Sequence, residues 1–252
     1  MPVKTLLLRL VAAVLAAAAL VFPGFGIPDL LVTWDPDWQV VLEAGWGLFM
    51  TVLVAAALLT VAVAPGRAAP ALAQLWVAAG CVLAAAALGT DTHAAVLGLG
   101  LVACAAAVSL PRAVRPWLPR GSGLAVPLLV VAAVGAVPWL GYAAGEASAD
   151  RQRADWADIT VGVDHHAVQT ALAIAFVVLT LLAAAWEAGR RYLTTCVAVA
   201  SAYLGLVALT HPVTPAAIGP AWSALVMAWA LAVLVSGWTA RGRAAVEAPD
   251  PA

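Results

Sequence analysis

Two short steps in the chain carry the residue types of a chemical site. One is Gly89–Ala94, GTDTHA, and the other is Gly162–Ala167, GVDHHA; both read G-x-D-x-H-A. A carboxylate two residues before an imidazole, repeated, offers oxygen and nitrogen ligands of the kind that hold zinc or another transition metal. The same two groups also exchange protons. The local alternative is capping. An Asp before an apolar run accepts hydrogen bonds from the first free backbone N–H groups and favours the positive end of the helix dipole. Capping accounts for Asp91 and Asp164, but it gives no reason for His93 and His166 to follow two residues later.

The chain has four histidines, His93, His165, His166 and His211. All fall at or beside the ends of apolar runs, on one side of the topology derived below. The candidate ligand set is therefore Asp91, His93, Asp164, His166 and His211. His165 and His166 are neighbours on a helix and point about 100° apart, so they do not readily share one ion. One can ligate while the other packs or orients a neighbour. A bis-imidazole haem would draw on the same side chains and is the weaker fit.

Several chemistries lack their residues. There is no G-x-S-x-G nucleophile elbow, no H-E-x-x-H zinc helix and no G-x-x-x-x-G-K-[ST] phosphate loop. The only lysine, Lys4, precludes a Schiff base in any later span. Cys81, Cys104 and Cys196 lie in apolar runs without a C-x-x-C, which reads as buried packing. No basic cluster interleaved with aromatics points to nucleic acid.

The elements that must position these residues are set by composition. The 252 residues are 65% hydrophobic and 10% charged, against about 25% charged in a soluble domain. Runs of about 20 apolar residues cross a bilayer as helices, since backbone groups cannot stay unpaired in hydrocarbon. Eight such runs are expected: Lys4–Phe22, Gly45–Ala64, Ala71–Gly89, Ala94–Leu110, Leu124–Tyr142, His165–Trp186, Tyr192–Thr210 and Ala221–Thr239. The fold class is an all-α polytopic transmembrane helical bundle. Residues 1–240 form one domain, and 241–252 form a short disordered cytoplasmic tail. The first run is read as a retained span rather than a cleaved signal.

Connections alternate in charge. Lys4, Arg9, Arg67, Arg112, Arg115, Arg120, Arg190, Arg191, Arg241 and Arg243 fall on one side, which the positive-inside rule assigns to the cytoplasm together with both termini. Arg9, inside the first run, reaches that side by snorkelling. The opposite side carries Asp29, Asp35, Asp37, Glu43, Asp91, Glu146, Asp150, Asp155, Asp158 and Asp164, against only Arg151 and Arg153. Trp46, Trp76, Trp117, Trp139, Trp186, Trp222 and Trp238 stand near span ends, where an interfacial aromatic belt is the expectation.

These readings imply a multi-pass protein of a bacterial plasma membrane. Its outer face would bind a metal or an extracytoplasmic protein or lipid partner in an accessory role. The enzyme alternative is a metal-dependent hydrolase or transferase acting on a lipid headgroup, with Asp35, Asp37 or Glu43 as general base. A transporter ranks third, because acids and bases are missing from the middles of the predicted spans.

Overall fold

The computed structural model describes residues 3–35, 40–109, 123–153 and 159–240. Within them, eight helices are long and apolar enough to cross a membrane. The chain is an all-α bundle of a multi-pass membrane protein. The spans are α1 (Val3–Leu20), α3 continuing through a π-helical stretch into α4 (Val40–Val63), α5 (Ala69–Gly89), α6 (Thr92–Ser109), α7 (Val126–Gln152), α8 (His165–Ala185), α9 (Glu187–Thr210) and α10 (Pro220–Thr239). A short helix α2 (Gly26–Val32) lies between the first two spans.

The spans form four consecutive helical hairpins, each pairing an inner helix with an outer one. The inner helices are α3–α4, α5, α8 and α9, and their outer partners are α1, α6, α7 and α10. Helix α8 packs against every other inner helix, and α7 backs it from outside. Composition explains the division. Inner helices carry side chains that must find partners, such as Gln74, Gln169, Thr170, Thr180, Thr194 and Ser201, all fully buried. Outer α1 and α6 turn Leu7, Leu10, Val14, Val96 and Leu99 outward, where lipid can cover them.

The second span begins five residues earlier than expected, at Val40. The fifth runs past Tyr142 to Gln152, so Glu146 and Asp150 lie on a membrane helix rather than in a solvated connection, and both are buried. Three of the tryptophans assigned to an aromatic belt, Trp46, Trp139 and Trp186, are buried in the bundle. Between α3 and α4 the backbone is π-helical over Phe49–Ala55. Gln74 of α5 donates to the Val52 and Leu53 carbonyls there, at 2.9 and 3.0 Å, replacing contacts that a regular ladder would supply.

At the basic end, arginines satisfy the carbonyls that helices leave open. Arg9 donates to the Ala62 and Val63 carbonyls at the end of α4, which is where snorkelling should bring it. Buried Arg190 donates to the carbonyls of Ala183, Gly123 and Ala240, joining three segments at that face. Positive charge near helix C-termini is also favourable to the dipole. Arg112, Arg115, Arg120, Asp37, Asp155, Asp158, Trp117 and the 241–252 tail lie outside the described residues.

Candidate functional site

The acidic end of the inner bundle is closed by α2, the starts of α3 and α8, the last turns of α7, and a two-stranded hairpin. The hairpin pairs β1 (Ile159–Thr160) with β2 (Val163–Asp164), Thr160 opposite Val163. Val161 and Gly162 make its two-residue turn with φ of 49° and 83°. Positive φ at both central residues is the geometry whose twist matches an antiparallel pair. Glycine adopts it freely, whereas the β-branched valine is strained there. The hairpin delivers Asp164 to the N-cap of α8 and Thr160 to the His165 ring.

Three buried residues converge beneath it. One ligand atom from each of Asp29 (α2), Glu43 (α3) and His165 (α8) lies within 4.8 Å of the others, and each residue is more than nine-tenths buried. The His165 Nδ1 is 4.0 Å from the Glu43 carboxylate. Its Nε2 is 2.8 Å from the Thr160 hydroxyl. The ring lies against Trp46, with centroids 5.0 Å apart and planes 27° from parallel. Trp46 is itself pinned, its indole N–H donating to the Gly24 carbonyl at 2.7 Å. The imidazole is therefore held in one plane, with one nitrogen engaged by the hairpin and the other facing the carboxylates. Helix α2 can approach α3 this closely because Gly47 meets Leu30, where an added Cβ would overlap the leucine.

One step along α8, His166 points to α7. Its Nδ1 lies 2.6 Å from Glu146 Oε2, with both side chains buried. This short contact has the length of a charge-assisted hydrogen bond. A turn farther on, Gln169 donates to the Val41 carbonyl at 2.8 Å and Gly45 leaves room for its amide. Asp150, a turn beyond Glu146 on α7, packs on Gly89, where a Cβ would fall on its Oδ2. It lies within the electrostatic reach of Asp164, Asp91 and His166.

Both repeated aspartates are helix caps. Asp91 accepts from the His93 and Ala94 N–H groups at 2.7 and 3.1 Å. Asp164 accepts from the His166 N–H at 2.9 Å. Burial pushes the Asp164 carboxyl above its ordinary value, and the nearby Asp91 adds to this. The His166 N–H and the two neighbouring imidazoles oppose the rise.

The two histidines of the repeat part company. His166 starts an inner helix and is buried, while His93 starts outer α6 and is exposed beside the hairpin turn at Gly162. The fourth span touches the hairpin and packs on the third. His211 sits at the C-terminal end of α9, its Nδ1 2.9 Å from the Thr210 hydroxyl and its ring 6.1 Å from that of Trp34. Of the five candidate ligands Asp91, His93, Asp164, His166 and His211, none belongs to the convergent group of three found among the described residues. Asp164 and His166 border that group directly through His165.

The sequence pattern favoured His166 over its neighbour His165, offered no role for Asp29 and placed Glu43 in a loop as a general base. The available signal was the i, i+4 spacing of His165 and Gln169 on α8, which puts the imidazole on the same inward face as a buried amide. Of the other acids offered as bases, Asp35 is exposed and Asp37 is outside the described residues. Compared with protein-family models, curated proteins and solved structures, the chain matches none.

Proposed function

We propose that this membrane protein binds one divalent transition metal through Asp29, Glu43 and His165, at the acidic end of its bundle. The observation that carries the reading is the convergence of three ligand atoms within 4.8 Å inside a buried site. Two carboxylates at that separation repel by about 3 kcal/mol at an effective dielectric of ~20, and a divalent ion reverses the sign of that interaction. Ligand spacing in a tetrahedral site with ~2.0–2.2 Å bonds is about 3.3 Å, so small side-chain adjustments bring the group to bonding distance. One imidazole with two carboxylates suits zinc, manganese or iron rather than copper(I). Trp46 covers one face of the His165 ring.

Charge asymmetry supports an extracytoplasmic position for this end, since among the described residues Arg9, Arg67, Arg190 and Arg191 lie at the opposite end, against Arg151 and Arg153 here. A metal held there fits an accessory or binding role at the outer face of a bacterial plasma membrane. Asp164 and His166 flank His165 in sequence, and Asp91 acts on Asp164 in turn. His93 and His211 lie nearer the surface, where a partner would meet them.

The test is metal analysis of protein purified after equilibration with zinc, manganese or iron(II) and exhaustive desalting. About one equivalent is expected in the wild type and in His93→Ala and His211→Ala. His165→Ala and Glu43→Gln should each lose at least ten-fold in affinity. Sub-stoichiometric metal in the wild type, or full retention in both variants, rejects the site.

A further inference from the structure

The stack on Trp46 fixes the plane of the His165 ring, with centroids 5.0 Å apart. It does not fix which edge of the ring faces Glu43. A half-turn about the Cβ–Cγ bond keeps the stack and exchanges Nδ1 for Cδ2, leaving a carbon toward the carboxylates. The hairpin distinguishes the two orientations. Thr160 stands opposite Val163 in the strand pair, and its hydroxyl lies 2.8 Å from His165 Nε2. After a half-turn that hydroxyl would meet Cε1 and lose the hydrogen bond. The Asp164 cap on the His166 N–H, at 2.9 Å, holds the start of α8 to the same hairpin.

We propose that Thr160 is the positioning residue of the metal site: it accepts the Nε2–H of His165 and so presents Nδ1 to the ion. The assignment rests on the metal reading of Asp29, Glu43 and His165. Metal-bound imidazoles commonly donate their second N–H to an oxygen, which orients the ring and raises its basicity. Thr160 is half-buried, so its own hydroxyl hydrogen can turn to water while the oxygen accepts from the ring. A nucleophile–base–acid relay through Thr160, His165 and Glu43 is the competing use of the same groups. It needs a hydrogen bond between Nδ1 and Glu43, and the 4.0 Å between them is too long for one. Thr160 rides on the hairpin and not on a spanning helix, so the hold on the metal is tied to this element. A displacement of the hairpin alone loosens the metal by freeing the ring to turn.

The four histidines are labelled with nitrogen-15 and their ring nitrogens followed by NMR in detergent, the His165 signals being identified by their loss in His165→Ala. In the metal-free protein Nε2 should carry a proton protected from solvent exchange, and Thr160→Val should lose that protection. With zinc added, Nδ1 should be the metal-bound nitrogen. Zinc affinity, measured by competition with a chelator, should fall at least ten-fold in Thr160→Val, the lower end of the ~10–100-fold that loss of such a partner costs. Thr160→Ser, which restores the hydroxyl, should return it close to the wild-type value. A bare Nε2 in the metal-free protein, zinc on Nε2, wild-type affinity in Thr160→Val, or no recovery in Thr160→Ser each overturns the assignment and leaves the metal site standing. A wild type that takes up no zinc fails the metal reading itself, and this assignment with it.

Discussion

The His166–Glu146 pair makes the sharpest quantitative demand on this bundle. Its 2.6 Å contact joins α8 to α7 with both side chains buried. Glu146→Gln keeps the size and the hydrogen-bonding reach of the side chain while removing its charge. A hydrogen bond to a charged group contributes about 1.5–3 kcal/mol, against about 0.5–1.5 for a neutral one, so the substitution should cost roughly 1–2 kcal/mol. Glu146→Ala strands the buried imidazole and should cost about 3–5 kcal/mol, as removal of one member of a buried pair does. For a chain of this size about 2–4 °C of melting temperature accompanies each kcal/mol. Thermal unfolding in detergent should therefore fall by about 3–6 °C for Glu146→Gln and by 10 °C or so for Glu146→Ala. The decisive measurement is a double-mutant cycle with His166→Gln, in which a coupling above about 1 kcal/mol is expected. Additivity of Glu146→Gln and His166→Gln within ~0.3 kcal/mol would refute the view that these residues hold the two helices together at the site.

Three further outcomes follow from the same end of the molecule. Burial raises the Asp164 carboxyl above its ordinary 3.8, so between that value and the folded one the native state binds more protons than the unfolded. Stability from this group is complete below pH 3.8 and declines as pH rises through the folded pKa; Asp164→Asn, which still caps, should flatten that decline, and Asp164→Ala should flatten it equally while lying about 1 kcal/mol below Asp164→Asn at every pH. Val161 adopts a φ of 49° at a cost of about 1–2 kcal/mol; Val161→Asn, favoured in such turns, should raise the melting temperature, and an unchanged or lower value would contradict the strain. Val213 is 93% exposed in the connection after α9; Val213→Cys should react with a membrane-impermeant maleimide on intact cells, and labelling only after lysis would reverse the proposed sidedness.

Much of the architecture was legible in the residues, because the bilayer allows so few solutions. Long apolar runs must be helices, and their number and order came through with ends off by a few residues. Among the larger misses, those at the start of the second span and the end of the fifth share one cause. Glu43, Glu146 and Asp150 are charged residues that read as water-facing, yet each lies on a spanning helix and is buried among polar partners. Hydropathy registers the cost of a charge and not the partner that offsets it.

The repeated G-x-D-x-H-A step separates the two kinds of information most clearly. The sequence alone determined its local physics: each aspartate caps the helix that follows, because the free N–H groups lie within two or three residues of it. The fate of the imidazole was settled by tertiary structure. His93 begins an outer helix and stays exposed, while His165 and His166 begin the innermost one and are enclosed between Glu43 on one side and Glu146 on the other. The convergence of Asp29, Glu43 and His165 joins positions 14 and 122 residues apart along the chain. Capping acts over one helical turn, whereas a ligand set depends on which helices pack at the centre, and in a chain whose spans are almost uniformly apolar that choice rests on scattered buried amides and hydroxyls rather than on any contiguous pattern.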